Sequence, residues 1–132
     1  MKETLTSPPF TTFADVESIA RNVASASLGK APQLGEKTLE VECIGTNIRW
    51  HQGARELLFS LNGVSALGII GLEYGKERFV AMVLTFVAGH ESLSYRMVTS
   101  HKSETDWLRE STIRIGRLLN LVVSVDKSVH ES

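Results

Sequence analysis

"GARELLFSLNG", residues Gly53 to Gly63, decides the fold, because it lies between segments that read as β-hairpins and is itself open to two readings. Trp50, Ala54, Leu57, Leu58 and Leu61 match the spacing of one helical face, and Asn62-Gly63 supplies a stop. The spacing predicts a helix over Ala54 to Leu61, with a strand as the alternative.

On its N-terminal side stands "TLEVECIGTNIRWH". Folding this about a two-residue Gly45-Thr46 loop sets Cys43 against Ile48 and Val41 against Trp50, while Glu42 meets Arg49 and Glu40 meets His51. One face is then apolar and the other charge-matched. Glycine at the first loop position suits a type II′ turn, which needs positive φ there. On the C-terminal side the same test works twice. Folding about Gly75-Lys76 opposes Glu73 to Arg78 and Leu72 to Phe79, and folding about Gly89-His90 opposes Phe86 to Leu93 and Met82 to Met97. The charged stretch "LEYGKERF", Leu72 to Phe79, is thereby a hairpin tip with a cross-strand ion pair, and not a ligand loop.

Two further helices complete the expected order. Phe13 to Leu28 carries apolar residues at helical spacing, with Gly29 as stop and Pro32 beyond. The last helix begins at Ser103 as cap, has Asp106 in its first turn, and buries Leu108, Ile115, Leu119 and Val122. The predicted fold is α+β, an antiparallel five-stranded sheet flanked by three helices in the order α-β-β-α-β-β-β-α. In element order this resembles the profilin-like modules that include the roadblock and longin families. That resemblance implies helices on both faces of the sheet and a role in scaffolding or regulating small GTPase or motor machinery. "FVAMVLTFVA", Phe79 to Ala88, is apolar on both alternating faces and independently asks for cover on both sides.

The expected organisation is a flexible N-terminal tail over 1–12, a single domain over 13–123 and a flexible C-terminal tail over 124–132. The chain has 132 residues, enough for one core, with 14 Lys plus Arg against 15 Asp plus Glu. This near balance argues against nucleic acid as a partner. The single cysteine, the lack of an N-x-[ST] sequon and the lack of an apolar leader point to a cytoplasmic address. The longest uncharged run, Leu57 to Leu72, is short and broken by Asn62-Gly63, so no membrane span is expected.

The search for chemistry yields structural readings. Glu40 and Glu42 share one side of a strand roughly 7 Å apart, a spacing that two-carboxylate hydrolysis can use. Each nevertheless faces a basic or titratable partner across the hairpin, so Glu40, Glu42, Arg49 and His51 read as a solvated face, with a ligand site as the alternative. His51, His90, His101 and His130 include no pair at the i, i+4 spacing of helical zinc ligands, and no metal or other cofactor is expected. Cys43 points inward and His51 outward in the hairpin register, which separates them as nucleophile and base. Gly63, Gly68 and Gly71 lack the Lys-Ser/Thr of a phosphate loop and lie along a strand.

These readings give a non-catalytic protein–protein interaction or regulatory module, acting as a homodimer or on another protein. The expected interface is the strand Val64 to Leu72, which carries no charge or proline and lies at the sheet edge in the profilin-like order. Val64, Ala66, Leu67, Ile69 and Gly71 are its candidate contact residues, with the N–H groups of Leu67, Ile69 and Gly71 facing outward. The alternatives are a secretion-chaperone-like dimer that binds a partner segment, whose order has three strands before the middle helix, and a small hydrolase or ligand-binding domain.

Overall fold

The structure, a computed structural model, describes residues 2–6, 11–13, 38–52 and 55–130. The stretch that decides the fold is a strand. Residues Arg55–Ser60 form β5, paired antiparallel with Asn47–Gln52 (β4) in the register Trp50 with Leu57 and Ile48 with Phe59. The free side of β4 offers a ladder of hydrogen bonds that local helical spacing does not outweigh. Leu57 and Phe59 then turn toward the core while Leu58, between them, is 64% exposed.

β4 also pairs with Thr38–Ile44 (β3), and β3 with Lys2–Thr6 (β1), giving a four-stranded sheet in the order β1-β3-β4-β5. A three-residue 3-10 turn, Leu61–Gly63, leads straight from β5 into Val64–Tyr74 (β6). With Glu77–Ala88 (β7), Glu91–His101 (β8), Thr11–Phe13 (β2) and Val123–Val125 (β9) it forms a second sheet in the order β2-β8-β7-β6-β9. Helix α1, Thr105–Leu119, touches β1 and β3 of the first sheet and β6, β7 and β8 of the second.

Several expectations are corrected. The five-stranded sheet flanked by three helices is replaced by two sheets and, among the described residues, one helix. The order therefore departs from the profilin-like one. It also departs from the secretion-chaperone one, because the three consecutive strands β3, β4 and β5 are followed by β6 where that order needs a helix. The helix read over Phe13 to Leu28 lies outside the described residues except for Phe13, which sits in β2. The two expected tails contain structure, since β1 and β2 precede residue 14 and the C-terminal segment forms β9 and a 3-10 turn at Lys127–His130.

The hairpin registers agree with the turn chemistry. Val41 pairs with Trp50, Glu42 with Arg49, Glu73 with Arg78, Leu72 with Phe79 and Phe86 with Leu93. Gly45, Gly75 and Gly89 have φ of +61°, +61° and +66° at their first loop positions. One pair slips: Met82 lies opposite Val98, not Met97, because an irregularity after Met82 inserts an extra residue into β8. Met97 and Val98 are both fully buried as a result.

The core lies between the sheets. Leu5, Leu39, Val41, Ile48 and Trp50 from the four-stranded sheet meet Leu67, Ile69, Val80, Met82 and Leu84 from the other, with Leu108, Ile115 and Leu119 of α1 among them. Each such side chain contributes roughly 1.5–3 kcal/mol through burial. A chain of edge-to-face rings joins the sheets at one end, Phe59 on Phe86 at 5.2 Å and Phe86 on Tyr95 at 5.4 Å.

α1 starts later than expected. His101 Nδ1 accepts from the Ser103 N–H within a 3-10 turn at Lys102–Glu104, and the helix proper begins at Thr105 with Asp106 in its first turn. It stops at Asn120, whose left-handed φ of 57° lets the Leu121 N–H reach the Gly116 carbonyl at 2.8 Å. Val122 is consequently outside the helix and 92% exposed. This reversal returns the chain beside β6, where β9 pairs in parallel: Leu67 with Val123, Gly68 with Ser124 and Ile69 with Val125.

Candidate functional site

The strand expected to be a bare edge is closed by the chain's own C-terminal segment. β9 pairs with it over Leu67 to Ile69, the Asp126 N–H donates to the Ile69 carbonyl at 2.9 Å, and the Gly71 N–H donates to Ser128 Oγ at 2.9 Å. Ile69 and Gly71 do direct backbone groups away from β7, as the hairpin register requires, but these groups meet residues of the same chain. Leu67 and Ile69 place their side chains in the core, Val64 and Gly71 are half-buried, and Ala66 is exposed. The five candidate contacts thus do not form a free edge.

The alternative ligand residues lie together on the outer face of the four-stranded sheet. Glu40 is 3.9 Å from both Lys2 Nζ and His51 Nδ1, and Arg49 Nε donates to Glu56 Oε1 at 3.1 Å. Arg49 therefore reaches diagonally to β5, although Glu42 is its direct cross-strand neighbour. The sequence pattern missed Glu56 because it had been placed on a helix. Cys43 is half-buried on the opposite side, with Sγ 3.6 Å from the Gly45 carbonyl. Among the described residues no group of three His, Cys, Asp or Glu side chains is placed to hold a metal ion.

Two features remain as candidates. The first is β5, an outer strand of the four-stranded sheet. The Leu61 N–H donates to the Thr46 carbonyl at 2.7 Å, which marks one hydrogen-bonded pair. Alternation along an antiparallel ladder makes Ile48 with Phe59 and Trp50 with Leu57 the next ones. The backbone groups of Glu56, Leu58 and Ser60 therefore point away from β4. These three residues have exposed side chains, and Leu58 is the apolar one at their centre.

The second is a groove of about 490 Å³ on the face of the five-stranded sheet turned away from α1. The pairings align Arg96, Val83, Gly68 and Ser124 in one row across four strands, and Ser94, Thr85 and Ala66 in the next. Ile70 and Asp126 continue the lining. Thr85 Oγ1 and Ser94 Oγ share a hydrogen bond at 2.9 Å. Ser124 Oγ lies 2.8 Å from where a Cβ on residue 68 would stand, so only glycine leaves room for it. Burial lowers the pKa of Arg96 below its ordinary value. Asp126 is held below the usual carboxylate range by hydrogen bonds from the Ser128 hydroxyl at 2.5 Å and the Ser128 N–H at 3.0 Å. The sequence signal for this groove was the small residues at Ala66, which reads from the sequence as an interface contact, and Gly68, which reads as a glycine along a strand.

Beyond the groove the same face is closed: Leu72, Phe79 and Ala81 form a second buried cluster against Ile70. No helix among the described residues is long and apolar enough to cross a membrane. Comparisons with protein-family models, with curated proteins and with solved structures find no match.

Proposed function

We propose that the protein is a non-catalytic protein–protein interaction or regulatory module that self-associates through β5. The observation that carries this is the outward-facing row of backbone donors and acceptors at Glu56, Leu58 and Ser60 around a leucine that is 64% exposed. Such an edge recruits another strand unless charge, proline or a bulge blunts it; β5 carries Arg55 and Glu56 at its start and none of these over Leu57 to Ser60. A second copy is the occupant that the register favours. An antiparallel pairing centred on Leu58 sets Glu56 against the partner's Ser60 and Leu57 against the partner's Phe59, and opposes no like charges. Centring on Glu56 instead would oppose two carboxylates. The address remains the cytoplasmic one expected from Cys43, and the partner is this chain or another protein offering an extended segment.

Pairing along six residues buries less than a standard interface, so the dimer is weak, with a dissociation constant on the order of 100 µM. Leu58→Lys places a charge on each side of the axis while leaving the core untouched. Sedimentation velocity from 10 to 500 µM is expected to show association of the wild type and a monomer for Leu58→Lys. A wild type that stays monomeric throughout, or a lysine variant that associates equally well, refutes the proposal.

A ligand-binding domain is the second reading, and the groove of the five-stranded sheet is the observation that favours it.

A further inference from the structure

We propose that residues 123–130 form an exchangeable arm, which seats either on β6 of its own chain or on β6 of a second copy. This exchange does not depend on β5. The reason lies at the end of α1. Ile115, Leu119 and Val122 stand at helical spacing, so the apolar stripe of α1 continues in the sequence to Val122. The structure instead turns the chain back at Asn120, whose φ of 57° is the left-handed conformation that residues other than glycine adopt at a cost. Val122 is left 92% exposed.

Two arrangements of this hinge compete. In the one seen, the Leu121 N–H closes on the Gly116 carbonyl at 2.8 Å and Leu121 is half-buried against the core. With α1 carried on through Val122, Asn120 relaxes to the right-handed conformation, and the Leu121 and Val122 N–H groups reach the Arg117 and Leu118 carbonyls. Val122 then joins the face of Leu119 while Leu121 leaves its place. One aliphatic side chain replaces another, the left-handed residue is gone, and the arm points away from its own β6.

The seat is separate from the hinge. Val123 to Val125 pair with Leu67 to Ile69, the Asp126 N–H donates to the Ile69 carbonyl, and the Gly71 N–H donates to Ser128 Oγ. Val123 and Val129 pack against the core. All of these contacts are made by residues after Val122, so the arm of a second copy makes every one of them, and in a two-fold pair each chain closes the other's β6 edge. Gly68 and Gly71 fit the seat to this segment, since Ser124 Oγ and the Ser128 carbonyl fill the space that a Cβ at those positions would take. Ser124, Val125 and Asp126 also line the groove of the five-stranded sheet. In the exchanged pair each groove is therefore completed by the partner's Ser124, Val125 and Asp126. Because the seat contacts are the same in both forms, hinge and concentration decide the balance. Return to the monomer requires an arm to leave its seat, so the exchanged pair outlasts dilution.

The test uses the full chain, as wild type and as Leu58→Lys, so that pairing through β5 is read separately. Each is held at about 1 mM, warmed to just below its unfolding midpoint, cooled, diluted to about 5 µM and passed at once over a size-exclusion column. A dimer that persists on dilution is expected from both. Asn120→Gly accepts the left-handed hinge freely and is expected to lower the dimer yield about tenfold, whereas Asn120→Ala resists that hinge, favours the helix and is expected to raise it about tenfold. In dimers formed from equal amounts of isotope-labelled and unlabelled chain, nuclear Overhauser contacts between the Val123 and Leu67 methyl groups are expected to cross between chains. If Asn120→Ala fails to fold, the comparison of wild type with Asn120→Gly carries the same test. No persistent dimer from the wild type or Asn120→Ala, equal yields from the glycine and alanine variants, loss of the persistent dimer in Leu58→Lys, or Val123–Leu67 contacts confined to one chain each overturn the proposal.

Discussion

Gly71→Ala tests the closure of the β6 edge most directly. A Cβ at this position would stand 2.5 Å from the Ser128 carbonyl oxygen and 2.8 Å from its carbon. Both are backbone atoms, so the 3-10 turn must retreat by about 1 Å to restore ordinary contact. That displacement breaks the hydrogen bond from the Gly71 N–H to Ser128 Oγ and strains the one from the Asp126 N–H to the Ile69 carbonyl. Each contributes about 1 kcal/mol. Val129 and Val123 pack part-buried against the core, and their partial release adds about 1 kcal/mol more. The expected loss is about 3 kcal/mol, or less if residues 123–130 simply detach. Gly63→Ala is the control, because its nearest neighbour is Phe86 Cδ1 at 3.9 Å. Urea titration should show the loss for Gly71→Ala and a change within about 0.5 kcal/mol for Gly63→Ala. Hydrogen exchange should show the Asp126 amide losing protection in the first variant. A Gly71→Ala protein as stable as wild type, with that amide still protected, would mean that the C-terminal segment does not close this edge.

Two further outcomes follow from the ion pairs and the C-terminal turn. Reversing Arg49 to Glu or Glu56 to Arg should each cost about 0.2–1 kcal/mol in denaturant titrations, and combining them should restore most of the loss; strictly additive costs would show that the 3.1 Å bond does not form in solution. Asp126 has a folded pKa depressed by the two Ser128 hydrogen bonds, so its contribution is fully present above the ordinary value of 3.8 and is lost as the pH falls below it. The protection of the Ser128 amide, its exchange rate divided into the intrinsic rate at the same pH, should fall across that acidic window in the wild type and lose this pH dependence in Asp126→Asn.

The three hairpins were legible because their information is local. A glycine at the position needing positive φ fixes each turn, and the residues on either side then pair by polarity, as Glu73 with Arg78 does at 4.0 Å. The Met82 slip was not legible, since "YRMVTS" reads as regular alternation and the extra residue is accommodated only because Met97 and Val98 both find core space. Arg55 to Ser60 fits both periods on its own. Its strand character depends on β4 having a free side, a fact about tertiary arrangement. Asn120 could have been read as the end of α1, because asparagine is second to glycine in the left-handed conformation there. The pairing of β9 was beyond reach: "VSVDKSVH" is polar and its partner lies more than fifty residues earlier, in a parallel ladder. The groove was hidden for the same reason, since Arg96 and Asp126 acquire their relation only through β7 and β6 between them.

The placement of edges links these points to function. β7, the strand with apolar residues on both alternating faces, is central in its sheet, and β6, the next most apolar, is closed by β9 and the turn after it. β2 and β9, which end that sheet, are three residues each, too short to template much pairing. In the other sheet β1 carries Lys2, Glu3 and Thr4, and Arg114 of α1 ties Glu3 down at 2.6 Å and reaches the Thr4 carbonyl at 3.3 Å. Each of these edges is short, charged or covered. β5 is six residues long, its charges Arg55 and Glu56 stand at its start, and its outward row is centred on an exposed leucine, so the hazard managed elsewhere in the molecule is left in place over Leu57 to Ser60. Lysine at position 58 is therefore informative in both directions: if it removes self-association the edge is an interface, and if it changes nothing the exposed leucine is an ordinary surface residue.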